Sequence, residues 1–134
     1  MGMPIGVMRP LGLPAWTREV HHIFRGIPII RRGGEMSKGY IYAEVEITDA
    51  AEYDKYRPLA AASIEAFGGR YIVRRGEPEV LEGNRDVRLV VVLEFESRAR
   101  ALEWYHSPQY QVAKAVRVRA AKTHLVVLSG YEVA

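Results

Sequence analysis

Glu94 is the carboxylate best placed for general acid–base work. It stands near the end of the stretch Val87 to Phe95, where Val87, Leu89, Val91, Leu93 and Phe95 point one way with a period of two. The opposite face carries Arg88, Val90, Val92, Glu94 and Glu96. A carboxylate held among apolar and aromatic groups has its charged form disfavoured, which raises its pKa towards that of a working base. Shortly afterwards comes an aromatic corner, Trp104-Tyr105-His106 followed by Ser107-Pro108 and Tyr110. Tyr56 and Arg117, from other parts of the chain, are candidates to close the sides of the same pocket. Arg117 suits bidentate binding of a carboxylate, or equally an ion pair with a surface acid.

Each of these residues also has a plainer role. Arg88 and Glu94 lie six residues apart on one strand, too far to pair with each other. Each requires a partner from a neighbouring strand, with Glu44 or Glu46 expected for Arg88. A salt-bridge network holding the sheet is therefore the alternative to catalysis. Trp104, Tyr105 and Tyr110 carry enough area to serve simply as core. If Glu94 is a desolvated base, Glu94→Gln leaves the fold intact or stabilises it near neutral pH. If it anchors an ion pair, the change strands a cation and destabilises.

The elements that position these groups follow from periodicity and caps. Tyr40 to Ile47 alternates, with Ile41, Ala43, Val45 and Ile47 on one face and Tyr40, Tyr42, Glu44 and Glu46 on the other. Asp49 caps the next helix, with Glu52 completing a capping-box pair. That helix buries Tyr53, Tyr56, Ala60, Ser63 or Ile64, and Phe67. Pro58 is expected to kink or split it, and Gly68-Gly69 to end it. Arg70 to Arg75 is a second strand, Val80 to Asn84 a short strand and turn, and Val87 to Phe95 the third main strand. Ser97 and Ser107-Pro108 open two short helices, and Thr123 to Ser129 is the last strand. The order predicts an α+β fold, a ferredoxin-like split βαβ repeat with helices on one face of an antiparallel sheet. Its other face would bear Tyr40, Tyr42, Val90 and Val92 uncovered. A second sheet packed against it would make a dimeric α/β barrel, and a homodimer is expected.

Composition narrows the classes further. The chain of 134 residues has no cysteine, which excludes disulfides, thiolate metal sites and cysteine nucleophiles. No apolar run approaches a membrane span, and a cytoplasmic location is expected. Five arginines against Glu19 and Glu35 in residues 1–35 account for the whole net charge of +3. The remainder is balanced, so a nucleic-acid partner is not expected. His106 and His124 have no histidine or carboxylate at metal-ligand spacing. There is no phosphate-binding glycine loop and no serine-hydrolase elbow. No metal or cofactor is expected.

Residues 1–35 are aperiodic, with prolines at 4, 10, 14 and 28. They lack a secretory core, and the absence of serine weakens an organelle presequence. A disordered extension is one expectation. The other is a mis-assigned start: codons for Arg32-Gly33-Gly34-Glu35 readily spell a ribosome-binding GGAGG, which would make Met36 the true initiator. Residues 36–134 are expected to form the folded domain.

The residues Gly39-Tyr40, Asp49 with Tyr53 and Tyr56, Gly68-Gly69-Arg70-Tyr71, Arg74, Glu82-Gly83 and Arg88 resemble the domain-of-unknown-function 1330 family. Glu94-Phe95, Ser97, Ala101, Trp104-Tyr105, Ser107-Pro108, Tyr110-Gln111 and Arg117 extend the resemblance across residues 36–134. Gln109 departs from the glutamate usual after Ser-Pro. The resemblance implies a dimeric α/β barrel, in the superfamily of antibiotic monooxygenases, muconolactone isomerases and haem-degrading proteins. Only that kinship suggests a haem ligand in His106 or His124. It implies no assigned activity. Two classes of function are expected: a cofactor-independent enzyme moving a proton or adding oxygen to a small metabolite, or a non-catalytic or stress-associated dimer that binds a small molecule.

Overall fold

The computed structural model describes residues 37–132. Its elements are β1 (Gly39–Ile47), α1 (Ala50–Ala66), β2 (Arg70–Val73), β3 (Leu89–Phe95), α2 (Arg98–His106), α3 (Pro108–Ala120) and β4 (Ala121–Ser129). The four strands form one antiparallel sheet in the order β2-β3-β1-β4. This is the expected ferredoxin-like α+β arrangement, with the second helix of the repeat divided at Ser107.

Alternation decides which sheet face the helices cover. Ile41, Ala43, Val45, Leu93 and Phe95 are buried beneath them. They pack with Ala60 and Ile64 of α1, Ala101 and Trp104 of α2, and Tyr110 and Ala113 of α3. On the outer face, away from the helices, Tyr40 lies across from Glu94, Tyr42 from Val92 and Glu44 from Val90. β4 places Leu128, Val126 and His124 beside the same three β1 residues.

The helix boundaries have local causes. Asp49 Oδ1 accepts from the Glu52 N–H at 3.1 Å. Only this half of the capping box forms, since the Glu52 carboxylate takes Lys55 and Arg119 instead. At the other end Gly68 adopts φ 75°, and the Gly68 and Gly69 N–H groups donate to Glu65 and Ile64. This is the glycine-terminated ending foreseen. Ser97 and Ser107 side chains cap α2 and α3 by accepting from Arg100 and Tyr110 N–H groups. Gly39 sits where β1 meets the start of α2, and a Cβ there would lie 2.4 Å from the Ser97 carbonyl oxygen. No side chain fits.

Several expectations are corrected. Pro58 does not split α1, which runs unbroken through it. Pro58 and Asp54, whose carbonyl it leaves without an intrahelical donor, are both exposed residues. Val80 to Asn84 forms no strand; Val80 and Leu81 are exposed and Gly83 takes φ 92°. β2 stops at Val73 after a register shift, and β3 begins only at Leu89. Among the described residues no helix is long and apolar enough to cross a membrane. The readings of residues 1–35 and of a start at Met36 lie outside the described residues.

Candidate functional site

The sheet does not fit flush against its helices. Between them lies a cavity of about 370 Å³, floored by Ile41, Ala43, Val91 and Leu125. That size falls within the range of small-molecule sites, roughly 300–1,000 Å³. Trp104 from α2 and Tyr56 from α1 form walls, and Arg117 reaches in from α3.

Burial and hydrogen bonding order the polar side of this cavity. The Tyr56 and Tyr110 hydroxyls lie 2.9 Å apart, and Arg117 Nη1 donates to the Tyr110 oxygen at 2.6 Å. Burial pushes both phenol pKa values up, with their mutual proximity adding to the rise at Tyr56. Tyr53 beside them is raised to about 12, again chiefly by burial. The tyrosines therefore stay protonated at neutral pH and act as donors, not bases. Arg117 is 7 % exposed, and its Nε has no acceptor; the Thr123 hydroxyl is also buried without a partner. No aspartate or glutamate lines the cavity among the described residues.

The aromatic corner supports this arrangement from behind. Trp104 packs on Tyr110 with ring centroids 4.1 Å apart, and its Nε1 donates to Ser63 Oγ at 2.9 Å. Tyr105 completes the cluster at 5.7 Å from Tyr110. Ser107 donates to the Trp104 carbonyl at 2.7 Å while capping α3. Its hydroxyl is committed to holding the corner.

The expected pocket is thus divided. Tyr56, Trp104, Tyr105, Ser107, Tyr110 and Arg117 come together on the helix side. Glu94 and Arg88 do not join them. Glu94 lies on the outer sheet face, where Oε1 accepts from Arg70 Nε at 2.9 Å and Oε2 from the Tyr40 hydroxyl at 3.1 Å. The Arg70 hydrogen bond, helped by Tyr40 and opposed by partial desolvation, holds its pKa below the ordinary carboxylate value. The expected raised pKa is therefore corrected, because Arg70 stands directly opposite Glu94 in the β2–β3 register. Arg88 precedes β3, is exposed, and pairs with Asp86 at 2.8 Å rather than with Glu44 or Glu46. Glu44 pairs with Arg85.

A lowered folded pKa fixes the sign of the Glu94 contribution. It is present above the ordinary value of 4.5 and is lost as pH falls through the folded value. Arg70 is 70 % exposed, which limits the worth of the pair. Glu94→Gln is expected to cost under about 1 kcal/mol at pH 7. The gap to wild type should narrow as pH drops below 5 in urea denaturation. A variant more stable than wild type at pH 7 would contradict this.

Sequence reasoning missed the cavity's place and several of its lining groups: Tyr53, Arg57, Tyr71, Arg74, Arg75 and Thr123. The alternation of β4 was the available signal for Thr123. No local pattern marks the arginines that follow β2.

Comparison with known proteins agrees with this architecture. A protein of unknown function from Rhodopseudomonas palustris superposes with a TM-score of 0.62 at 20% identity, covering 86% of this chain and 94% of that one. A conserved protein of unknown function from Bacteroides thetaiotaomicron gives 0.51 at 12% identity, with coverages of 69% and 97%. A Caulobacter crescentus protein whose name proposes an antibiotic biosynthesis monooxygenase gives 0.50 at 17% identity, with coverages of 72% and 92%. At these identities the likeness concerns the fold. No curated protein matches the chain. The family model described as "Domain of unknown function (DUF1330)" matches residues 38–131, and the chain belongs to that family.

Proposed function

We propose that this domain binds a small, largely apolar molecule in the cavity between its sheet and its helices, and does so as a homodimer. The observation that carries the binding reading is the cavity itself. An apolar floor and aromatic walls meet hydrogen-bond donors at Tyr56 and Arg117, which the buried Tyr110 hydroxyl links from behind. An apolar floor on which polar groups converge is a common build for a ligand site. Because its walls carry no carboxylate or histidine among the described residues, the site is equipped to hold and orient a molecule. Proton abstraction by Glu94 finds no support, since that carboxylate lies on the far face of the sheet.

The homodimer rests on the outer face. Its middle row is Val92, Tyr42 and Val126 side by side. The rows on either side carry the Glu94–Arg70 and Glu44–Arg85 pairs. An apolar centre with a charged rim is the pattern of a protein interface.

Thermal unfolding in the presence of neutral and anionic one- and two-ring aromatics tests the binding reading. Stabilisation that grows with the logarithm of ligand concentration is expected, about 2.7 kcal/mol when ligand reaches 100 times Kd. A flat response to every compound sinks it. Sedimentation at micromolar protein should give twice the chain mass, and a monomer would remove the homodimer.

A further inference from the structure

We propose that the ligand of this cavity is an aromatic carboxylate, its head group held by Arg117. The inference rests on the binding reading above and adds the charge and head group of the ligand. Arg117 is buried, yet among the described residues no aspartate or glutamate pairs with it; its hydrogen bond goes to the neutral Tyr110 hydroxyl. Its Nε–H, buried and without an acceptor, leaves a charged donor unsatisfied. Leaving such a group unpaired is unfavourable, and a bound anion satisfies it. The Thr123 hydroxyl, on the sheet side of the same cavity, is a second buried group without a partner.

The remaining charge on the walls has the same sign. Arg57, Arg74 and Arg75 also line the cavity, and among the described residues only Arg57 has an acid, Asp54. Arg74 stacks over the Tyr71 ring at 4.6 Å. Guanidinium groups at the rim draw an anion in, and a buried one at the base fixes it. A planar carboxylate matches the guanidinium fork, and the walls of Trp104, Tyr53 and Tyr71 favour an aromatic body. Neighbouring Tyr56 and Tyr110 stay protonated, so they do not compete as anions.

Calorimetric titration of the full chain at neutral pH with 2-naphthoate, naphthalene-2-carboxamide and 2-naphthyl phosphate tests this. The naphthoate is expected to bind about 10-fold or more tighter than the carboxamide, and tighter than the phosphate. Arg117→Met should weaken naphthoate by about 10-fold or more and the carboxamide by less, so that the two bind with similar affinity. Should that variant fail to fold, Arg117→Lys decides. It keeps the charge but loses the fork, and should cut the naphthoate advantage at least about threefold. If no compound binds wild type, the binding reading fails and takes this inference with it. If naphthoate and carboxamide bind equally, the cavity still binds ligands but the carboxylate assignment is overturned. Tighter binding of the phosphate overturns the head group, and an advantage that survives in the Arg117 variants overturns the role of Arg117.

Discussion

Replacing Trp104 with alanine is expected to destabilise the domain by about 3–5 kcal/mol, the range for truncating a buried large aromatic. The indole is 1 % exposed and belongs to the main core cluster. It packs on Phe95 of β3 at 5.5 Å and on Tyr110 of α3 at 4.1 Å, so it joins sheet and helices at one point. Its Nε1–H also donates to Ser63 of α1. The serine hydroxyl has a second partner in the Ala60 carbonyl, so its own donor stays satisfied after truncation. The loss is therefore mostly a cavity, opening beside one that already exists. For a domain of this size each kcal/mol moves the melting temperature by roughly 4–8 °C. Urea denaturation monitored by circular dichroism should show the full effect. A loss under about 1 kcal/mol would mean that the corner can collapse around the gap, and that Trp104 does not anchor it.

The parts of this fold that sequence makes legible are those encoded locally. Alternation in Tyr40–Ile47 and in Leu89–Phe95 assigns residues to the correct sheet face. Asp49, Ser97 and Ser107 marked three helix starts because a capping side chain must sit beside the N–H groups it satisfies. Pairing across the sheet is not local. The partner of Glu94 is Arg70, 24 residues earlier, and nothing near either residue announces the register that joins them. Arg88 was misplaced for a related reason: the alternating pattern extends two residues beyond the strand that actually pairs. The Val80 run shows the converse failure. Apolar residues there had the composition of a strand but no neighbour to hydrogen-bond.

The same distinction explains the cavity. Tyr56, Trp104, Tyr110 and Arg117 were all identified as candidates, yet the face of the sheet on which they gather depends on helix packing. Glu94's alternation with Leu93 and Phe95 correctly puts it on the face away from the helices; the misreading lies in bringing side chains of the helical layer to that same face. The burial of Arg117 was still less visible. On an exposed helix face an arginine in the last turn would simply complement the carbonyl end of the helix. Here α3 turns that residue inward against the sheet, leaving α3 residues such as Val112 and Val118 exposed instead.

That inversion leads to an expected result with the opposite sign from most core substitutions: Arg117→Met should stabilise the unliganded protein by about 1–4 kcal/mol, the scale seen when buried ionic groups give way to packed apolar ones. The guanidinium has lost most of its water and, among the described residues, has no carboxylate in return. Methionine fills much of the same stem volume without a charge, and its flexible chain adapts to an irregular cavity wall. The hydrogen bond it removes is the one to Tyr110, but the Tyr56 hydroxyl remains 2.9 Å from that oxygen, so no phenol is orphaned. Loss of the Arg117 stem packing works against the gain, and methionine limits that loss where alanine would not. Differential scanning calorimetry of wild type and variant, both free of ligand, gives the answer directly. A rise in melting temperature identifies Arg117 as a group kept at a cost to the fold, as binding groups often are. A fall of several degrees would show instead that the Arg117–Tyr110–Tyr56 chain holds α3 against α1, and that the guanidinium serves the architecture.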